Sequence, residues 1–174
     1  MPNEYDTMTG TPTDVDATID ERLDDYLDAL FELLREPTVS STGEDMADGG
    51  AHVGEFVSRH GFEEWTLVET GHDPLVYAEV FADEDAPTVV FYGHYDVQPP
   101  GEEDEWESPP FEPTIRDGSI YGRGAGDNKG QFGAHAFAVD ALLAADAIPT
   151  VNVKLLLEGG EESGSHGLRE YLST

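Results

Sequence analysis

Three short stretches of this 174-residue chain combine glycine with residues able to hold a metal ion or move a proton. The first is GHYDVQPP, Gly93 to Pro100. On an extended backbone, residues two apart point the same way, so Asp96 is placed to orient the His94 imidazole while the other ring nitrogen stays free for a metal. The second is GRGAGDNKG, Gly122 to Gly130. Here Asp127 sits among residues small enough for close backbone approach, and its two oxygens can bridge two cations. The third is EGGEESGS, Glu158 to Ser165. If that backbone is extended, Glu161 and Glu162 point in different directions, so one can bind metal while its neighbour reaches a water. Metal-assisted hydrolysis needs this division of labour: the ion lowers the pKa of a water towards about 7, and a carboxylate takes the proton as that water attacks a carbonyl.

Each stretch also has a plainer use when taken alone. A histidine at a strand end often serves structure, Asp127 is suited to capping the helix that follows it, and two adjacent glutamates are common surface charge. The glycine loop is not a phosphate cradle, because its spacing is neither GxGxxG nor GxxxxGK[ST]. His52, His60 and His72 fall outside the three stretches and His135 lies within a helix, so they are assigned to structure, as is His166 at the start of a further helix. Lys129 and Arg123 either steer a substrate carboxylate or pair with nearby acids.

Composition narrows the partners. Lys and Arg number 8 against 38 Asp and Glu, a formal charge of −30, which repels nucleic-acid phosphates and anionic membrane surfaces alike. The acids are dispersed, with clusters at Asp83 to Asp85 and Glu102 to Glu105. That pattern fits adaptation to molar salt, where a Debye length of about 3 Å screens self-repulsion, or else a docking face for a basic partner. The clusters lack the Asp-x-Asp-x-Asp-Gly spacing of a calcium loop. With no cysteine, disulfides, thiolate ligands and a cysteine nucleophile are excluded. The sequence MPNEYDTMTG has no leader pattern, and no apolar run approaches the roughly 18 residues of a membrane span, so a cytoplasmic location is expected.

The elements that must position these stretches read as α/β. Residues 1–16 are expected to be a flexible acidic tail, broken by Pro2, Gly10 and Pro12. Thr18 with Glu21 makes a capping-box pattern, and apolar residues recur at helical spacing from Ile19 to Leu34, where Pro37 stops the run. A second helix is expected over residues 44–60, ended by Gly61 in a left-handed turn. Leu75 to Phe81 and Thr88 to Tyr92 read as neighbouring strands joined by a turn, and a hairpin is expected around Asp117 and Gly118. A helix from Lys129 to Asp146 is followed by Val151 to Leu157, a strand apolar enough to be central. A loop from Gly101 to Pro113 is anchored by Trp106 and Phe111. The sequence contains no internal repeat.

In this order, the three stretches resemble the co-catalytic zinc amidohydrolases and metallopeptidases that include acetylornithine deacetylase, succinyl-diaminopimelate desuccinylase, carboxypeptidase G and carnosinase-like dipeptidases. The resemblance runs from Thr18 to Thr174 and takes in Trp106, Pro110, Phe111 and the segment DGSIYGRGAGDNKGQ. Gln98 after HYDV, and Ser163-Gly-Ser165 after the glutamate pair, are most similar to the dipeptidase branch. The resemblance implies a three-layer α/β/α catalytic domain with a mixed central sheet, of which residues 17–174 form the N-terminal portion. The dimerisation domain and C-terminal portion of such proteins are absent. It implies two zinc ions, with cobalt or manganese as substitutes, held by His94, Asp127 as the bridge, and Glu162. Glu161 is the implied general base and Asp96 the catalytic support behind His94. A cis peptide bond between Asp127 and Asn128 is implied as well. One further carboxylate ligand and one histidine ligand of the family pattern have no counterpart in this sequence.

The expected function is therefore hydrolysis of an amide or peptide bond in a small substrate, a dipeptide or an acyl-amino acid, by a complete protein that is a homodimer. The alternatives are an N-acyl-amino-acid deacylase of the deacetylase or desuccinylase type, an inactive binding module that keeps the loops as inherited scaffold, and an acidic protein that captures basic partners. Half of a catalytic domain should also leave a sheet edge or helix face exposed.

Overall fold

The structure is a computed structural model and describes residues 11–43, 46–147 and 151–173. The first helix, α1, spans Pro12–Arg35 and starts earlier than its periodicity suggests. The capping box is formed by Thr11 and Asp14, with Pro12 at the first position, where its fixed φ favours helix and its missing N–H is not needed. Thr18 lies inside the helix and donates to the Asp14 carbonyl at 2.9 Å. Of the tail expected over 1–16, residues 1–10 lie outside the described residues and Pro12 onward is helical. The second helix, α2, covers Met46–Arg59, while positions 44–45 at its expected start lie outside the described residues. Gly61 follows it with the positive φ expected of such a helix stop.

Six strands follow among the described residues: β1 (Glu64–Val68), β2 (Leu75–Val80), β3 (Thr88–His94), β4 (Thr114–Arg116), β5 (Ser119–Tyr121) and β6 (Asn152–Glu158). Two further helices are α3 (Lys129–Ala144) and α4 (His166–Tyr171). β4 and β5 form the expected hairpin, turning through Asp117 and Gly118 with positive φ at both, as a two-residue turn requires. The main sheet has the order β1-β2-β6-β3, with β1/β2 and β2/β6 antiparallel and β6/β3 parallel. β2 and β3 are thus not neighbours. The chain leaves β3, passes through α3 and returns as β6, and this most deeply buried strand takes the place between them. Asn152 at its start fixes the arrangement: its side-chain oxygen accepts the Ala82 and Asp83 amides, and its side-chain nitrogen donates to the Asp83 and Ala86 carbonyls. The turn between β2 and β3 is thereby stretched across the end of the inserted strand. β1 has no counterpart among the expected elements.

α1, α2 and α3 cover one face of this sheet. Leu33, Leu34, Phe56, Val57, Phe132 and Ala136 pack there against Val76, Ala78, Val153, Leu155 and Leu157. Each fully buried leucine in this layer contributes about 1.5–3 kcal/mol. On the opposite face Val90 and Tyr92 are 60% and 50% exposed, and β3 is an edge strand. The described residues therefore form the sheet and one helical layer. No helix among them is long and apolar enough to cross a membrane.

An aromatic cluster seals the helical layer, with the His60 ring edge-on to Phe56 and Phe137 at 4.9 Å and to Tyr26 at 5.9 Å. Burial lowers the His60 pKa; Asp140 opposes the shift, while Arg59 and Arg22 add to it. A folded-state pKa below the unfolded value of about 6.5 means that stability is intact above that pH and is lost as pH falls. His60→Phe keeps the ring packing, so urea unfolding at pH 7.5 and 5.5 should show a smaller acid-side loss in the variant than in the wild type. Equal losses would remove His60 as their source.

Candidate metal centre

β3 and β6 run parallel and end level, with His94 opposite Glu158. The loops that leave them therefore lie side by side at the carboxyl ends of the strands, where open α/β sheets bind their ligands. His94 is 5% exposed and Asp96 is fully buried. His94 Nδ1 is 3.2 Å from Asp96 Oδ1, and its Nε2 is 3.0 Å from Asp127 Oδ1, so one imidazole stands between two carboxylates. Burial disfavours the imidazolium, but Asp96 and Asp127 outweigh it and raise the His94 pKa to about 9. Burial likewise opposes ionisation of Asp96, yet hydrogen bonds from His94 and the Glu162 amide hold its carboxyl below the usual range.

The glutamate pair departs from its expected geometry. Asp96 Oδ1 accepts the Glu161 amide at 3.1 Å and Oδ2 the Glu162 amide at 3.0 Å. Residues 161–163 accordingly form a 3-10 turn, and the two side chains do not diverge as they would on an extended strand. Donor atoms of His94, Glu161 and Glu162 all lie within 4.8 Å of one another. Ligands about 2.1 Å from a tetrahedral zinc stand roughly 3.4 Å apart, so these donors are within modest side-chain rotation of metal-binding separation, and an imidazole with carboxylates suits zinc chemically. Asp127 reaches the same imidazole from the second of the three stretches, with its side chain 73% exposed. The structure thus brings His94, Asp96, Asp127, Glu161 and Glu162 into one cluster.

Further residues hold the cluster. The Asp127–Asn128 peptide bond is cis. Asn128 Oδ1 accepts the His94 amide at 3.1 Å, and a Cβ on Gly93 would clash with that oxygen, so a side chain there would displace the Asn128 carboxamide from the His94 amide. Gln98 donates to Glu162 Oε2 at 2.8 Å. Glu158, 1% exposed, accepts from Tyr92 and from Ser165, and burial together with that hydrogen bond raises the Tyr92 pKa. Sequence reasoning gives Gln98 no structural task, although it continues the alternation His94, Asp96, Gln98. It also misses Glu158, whose only signal is an acid closing an apolar strand.

The two cations serve structure. Lys129 Nζ donates to the Leu33 and Glu36 carbonyls, and burial lowers its pKa to about 8 against attraction to Glu36 and Asp96. Arg123 donates to the Pro99 carbonyl at 3.1 Å and lies over the Trp106 ring. Trp106 anchors its loop through the Pro100 carbonyl at 2.9 Å. The remaining histidines stand apart from the cluster: His60 in the aromatic core, His135 stacked on Phe91, and His72 beside His166 at the start of α4.

Residues 90–174 match the sequence profile of peptidase family M20/M25/M40. Over 99 residues the chain is 47% identical to the Beta-Ala-His dipeptidase of Mus musculus, covering 57% of this chain and 20% of that protein. Over 78 residues it is 51% identical to the succinyl-diaminopimelate desuccinylase of Acidovorax ebreus, covering 45% of this chain and 20% of that protein. Its fold superposes with a TM-score of 0.78 on an M20 family metallo-carboxypeptidase from Sulfolobus solfataricus, 40% identical, covering 84% of this chain and 33% of that one. The chain therefore spans about a fifth of the length of these curated relatives.

Proposed function

We propose that this chain, whose residues 90–174 match the M20/M25/M40 peptidase profile, contributes half of a two-zinc centre that hydrolyses the amide bond of a small peptide. His94, Asp127 and Glu162 would hold the ions, and the remaining ligands would come from sequence beyond this segment. The observation that carries this reading is the convergence of three separate loops on one imidazole, with Asp96 behind it, Asp127 before it and the glutamate pair beside it.

Divalent ions bound there supply positive charge that acidifies a water and polarises a scissile carbonyl. The protein's own groups do the rest. Glu161 takes the proton of the attacking water and delivers it to the leaving amine. Asp96 fixes the imidazole and, through the same carboxylate, the turn that presents both glutamates. Gln98 holds the Glu162 carboxylate in one orientation.

A dipeptide is the first substrate class, on the strength of the dipeptidase relative and the Gln98 and Ser163-Gly-Ser165 signature. An N-acyl-amino acid is the second, supported by the desuccinylase relative. Titration with Co²⁺ tests the centre directly: the wild-type chain should give a ligand-field spectrum that His94→Ala abolishes. An unchanged spectrum in that variant would refute the site. Assay of β-Ala-His against N-succinyl-diaminopimelate in a zinc-loaded polypeptide continued to the length of the relatives separates the two substrate classes.

A further inference from the structure

We propose that Lys129 is a positioning residue for this centre: its buried ammonium grips the end of α1 and so fixes the loop that presents Asp127. The inference rests on the reading of Asp127 as a metal ligand.

Lysine is the wrong residue for its own helix. It occupies the first position of α3, where the exposed amides create positive potential and a cation is disfavoured. The explanation lies in α1, far away in sequence. α1 ends at Arg35 with Glu36 as its C-cap, leaving its last carbonyls without intrahelical partners. Lys129 Nζ meets two of them, Leu33 O at 3.1 Å and Glu36 O at 2.6 Å. The residue is 1% exposed, so these bonds form away from water and the ammonium has little freedom to leave them.

The consequence falls on the preceding residues. The Asp127 carboxylate is largely exposed and meets His94 across a 3.0 Å gap, so its position depends on the backbone that carries it. That backbone is tied on two sides by successive residues. Asn128 fastens it to β3 at the His94 amide, and Lys129 fastens it to α1. The loop also folds over the lysine stem. The Gly130 amide donates to the Gly124 carbonyl at 3.1 Å, and a Cβ on Gly124 would stand 3.2 Å from Lys129 Cδ.

The test compares Lys129→Met with Leu33→Ala, a core truncation that weakens the fold but keeps the Leu33 carbonyl and the loop. Both are read well below their unfolding midpoints, by Co²⁺ titration and by amide exchange of the metal-free chain. Lys129→Met should bind Co²⁺ about 10–100-fold more weakly, the size of effect seen when ligand-supporting contacts are lost. Its residues 123–130 should exchange at least about tenfold faster relative to β6, as befits local opening. Leu33→Ala should retain wild-type affinity, spectrum and relative exchange. Wild-type affinity and loop exchange in Lys129→Met would overturn the proposal. If the wild type itself binds no Co²⁺, the metal centre fails, and the exchange arm still decides whether Lys129 fixes the loop. Should Lys129→Met not fold in dilute buffer, molar KCl and saturating Co²⁺ are added. A folded chain with an altered spectrum supports the proposal; one with the wild-type spectrum, or no folding at all, assigns Lys129 to the fold alone and overturns it.

Discussion

Asp96→Ala is expected to destabilise the chain by about 3–5 kcal/mol, the range for removing one partner of a buried charged pair, and to dismantle the candidate centre in the same step. Asp96 is fully buried and its carboxylate receives the Glu161 and Glu162 amides and faces His94 Nδ1. An alanine leaves the two part-buried amides without this acceptor and leaves His94 Nδ1 only the main-chain carbonyl of residue 96, and each abandoned buried donor costs about 1–3 kcal/mol. Asp96→Asn should do less damage, because its side-chain oxygen still accepts one amide while its NH2 group faces another donor. Urea unfolding at neutral pH measures both. A loss below about 1 kcal/mol in the alanine variant would mean that the turn at residues 161–163 is held by other contacts, and Asp96 would lose its central place in the site.

Glu161→Gln is expected to cut the proposed hydrolysis by about 10²–10⁴, the usual contribution of a positioned general base, while leaving metal content unchanged. Glu162→Gln should instead lose metal. The contrast matters because the two carboxylates are close neighbours in space: both offer an oxygen within 4.8 Å of the His94 donor, so proximity alone does not assign their roles. Gln98 distinguishes them, since it binds Glu162 and would orient that carboxylate as a ligand, while Glu161 is the more exposed of the two. Metal analysis of the two variants alongside their turnover decides the assignment. If Glu161→Gln loses the ion and Glu162→Gln keeps it, the roles are exchanged.

The site is more legible in the sequence than the fold around it. Spacing two apart suffices to place Asp96 behind His94, because that relation is fixed by the extended backbone at a strand end. For the glutamate pair the sequence points to residues that the structure brings beside His94, but on a turn and not on an extended backbone. The extended form expected of residues 161–162 is overridden by a carboxylate some 65 positions earlier, which no local pattern reveals. The start of α1 escapes a reading of Pro12 as a breaker, since Pro12 sits at the one helical position that favours proline. Lys129 looks in the sequence like a cation for a substrate carboxylate or a nearby acid. Its true partners are main-chain carbonyls at the end of another helix, and carbonyls carry no signature in a sequence. The pairing of strands is obscured for a related reason: the turn between β2 and β3 looks like a hairpin until Asn152 is known to occupy it.

That inserted strand sets a schedule for biosynthesis. β2 and β3 emerge from the ribosome long before β6, and neither can satisfy the facing edge of the other across a gap one strand wide. Until Glu158 has been translated, the nascent polypeptide holds two open apolar edges, the condition that invites intermolecular pairing and recruits holdases. Arrival of β6 closes both edges and brings Glu158 level with His94, so the seam of the sheet closes just before the turn that carries Glu161 and Glu162 is made.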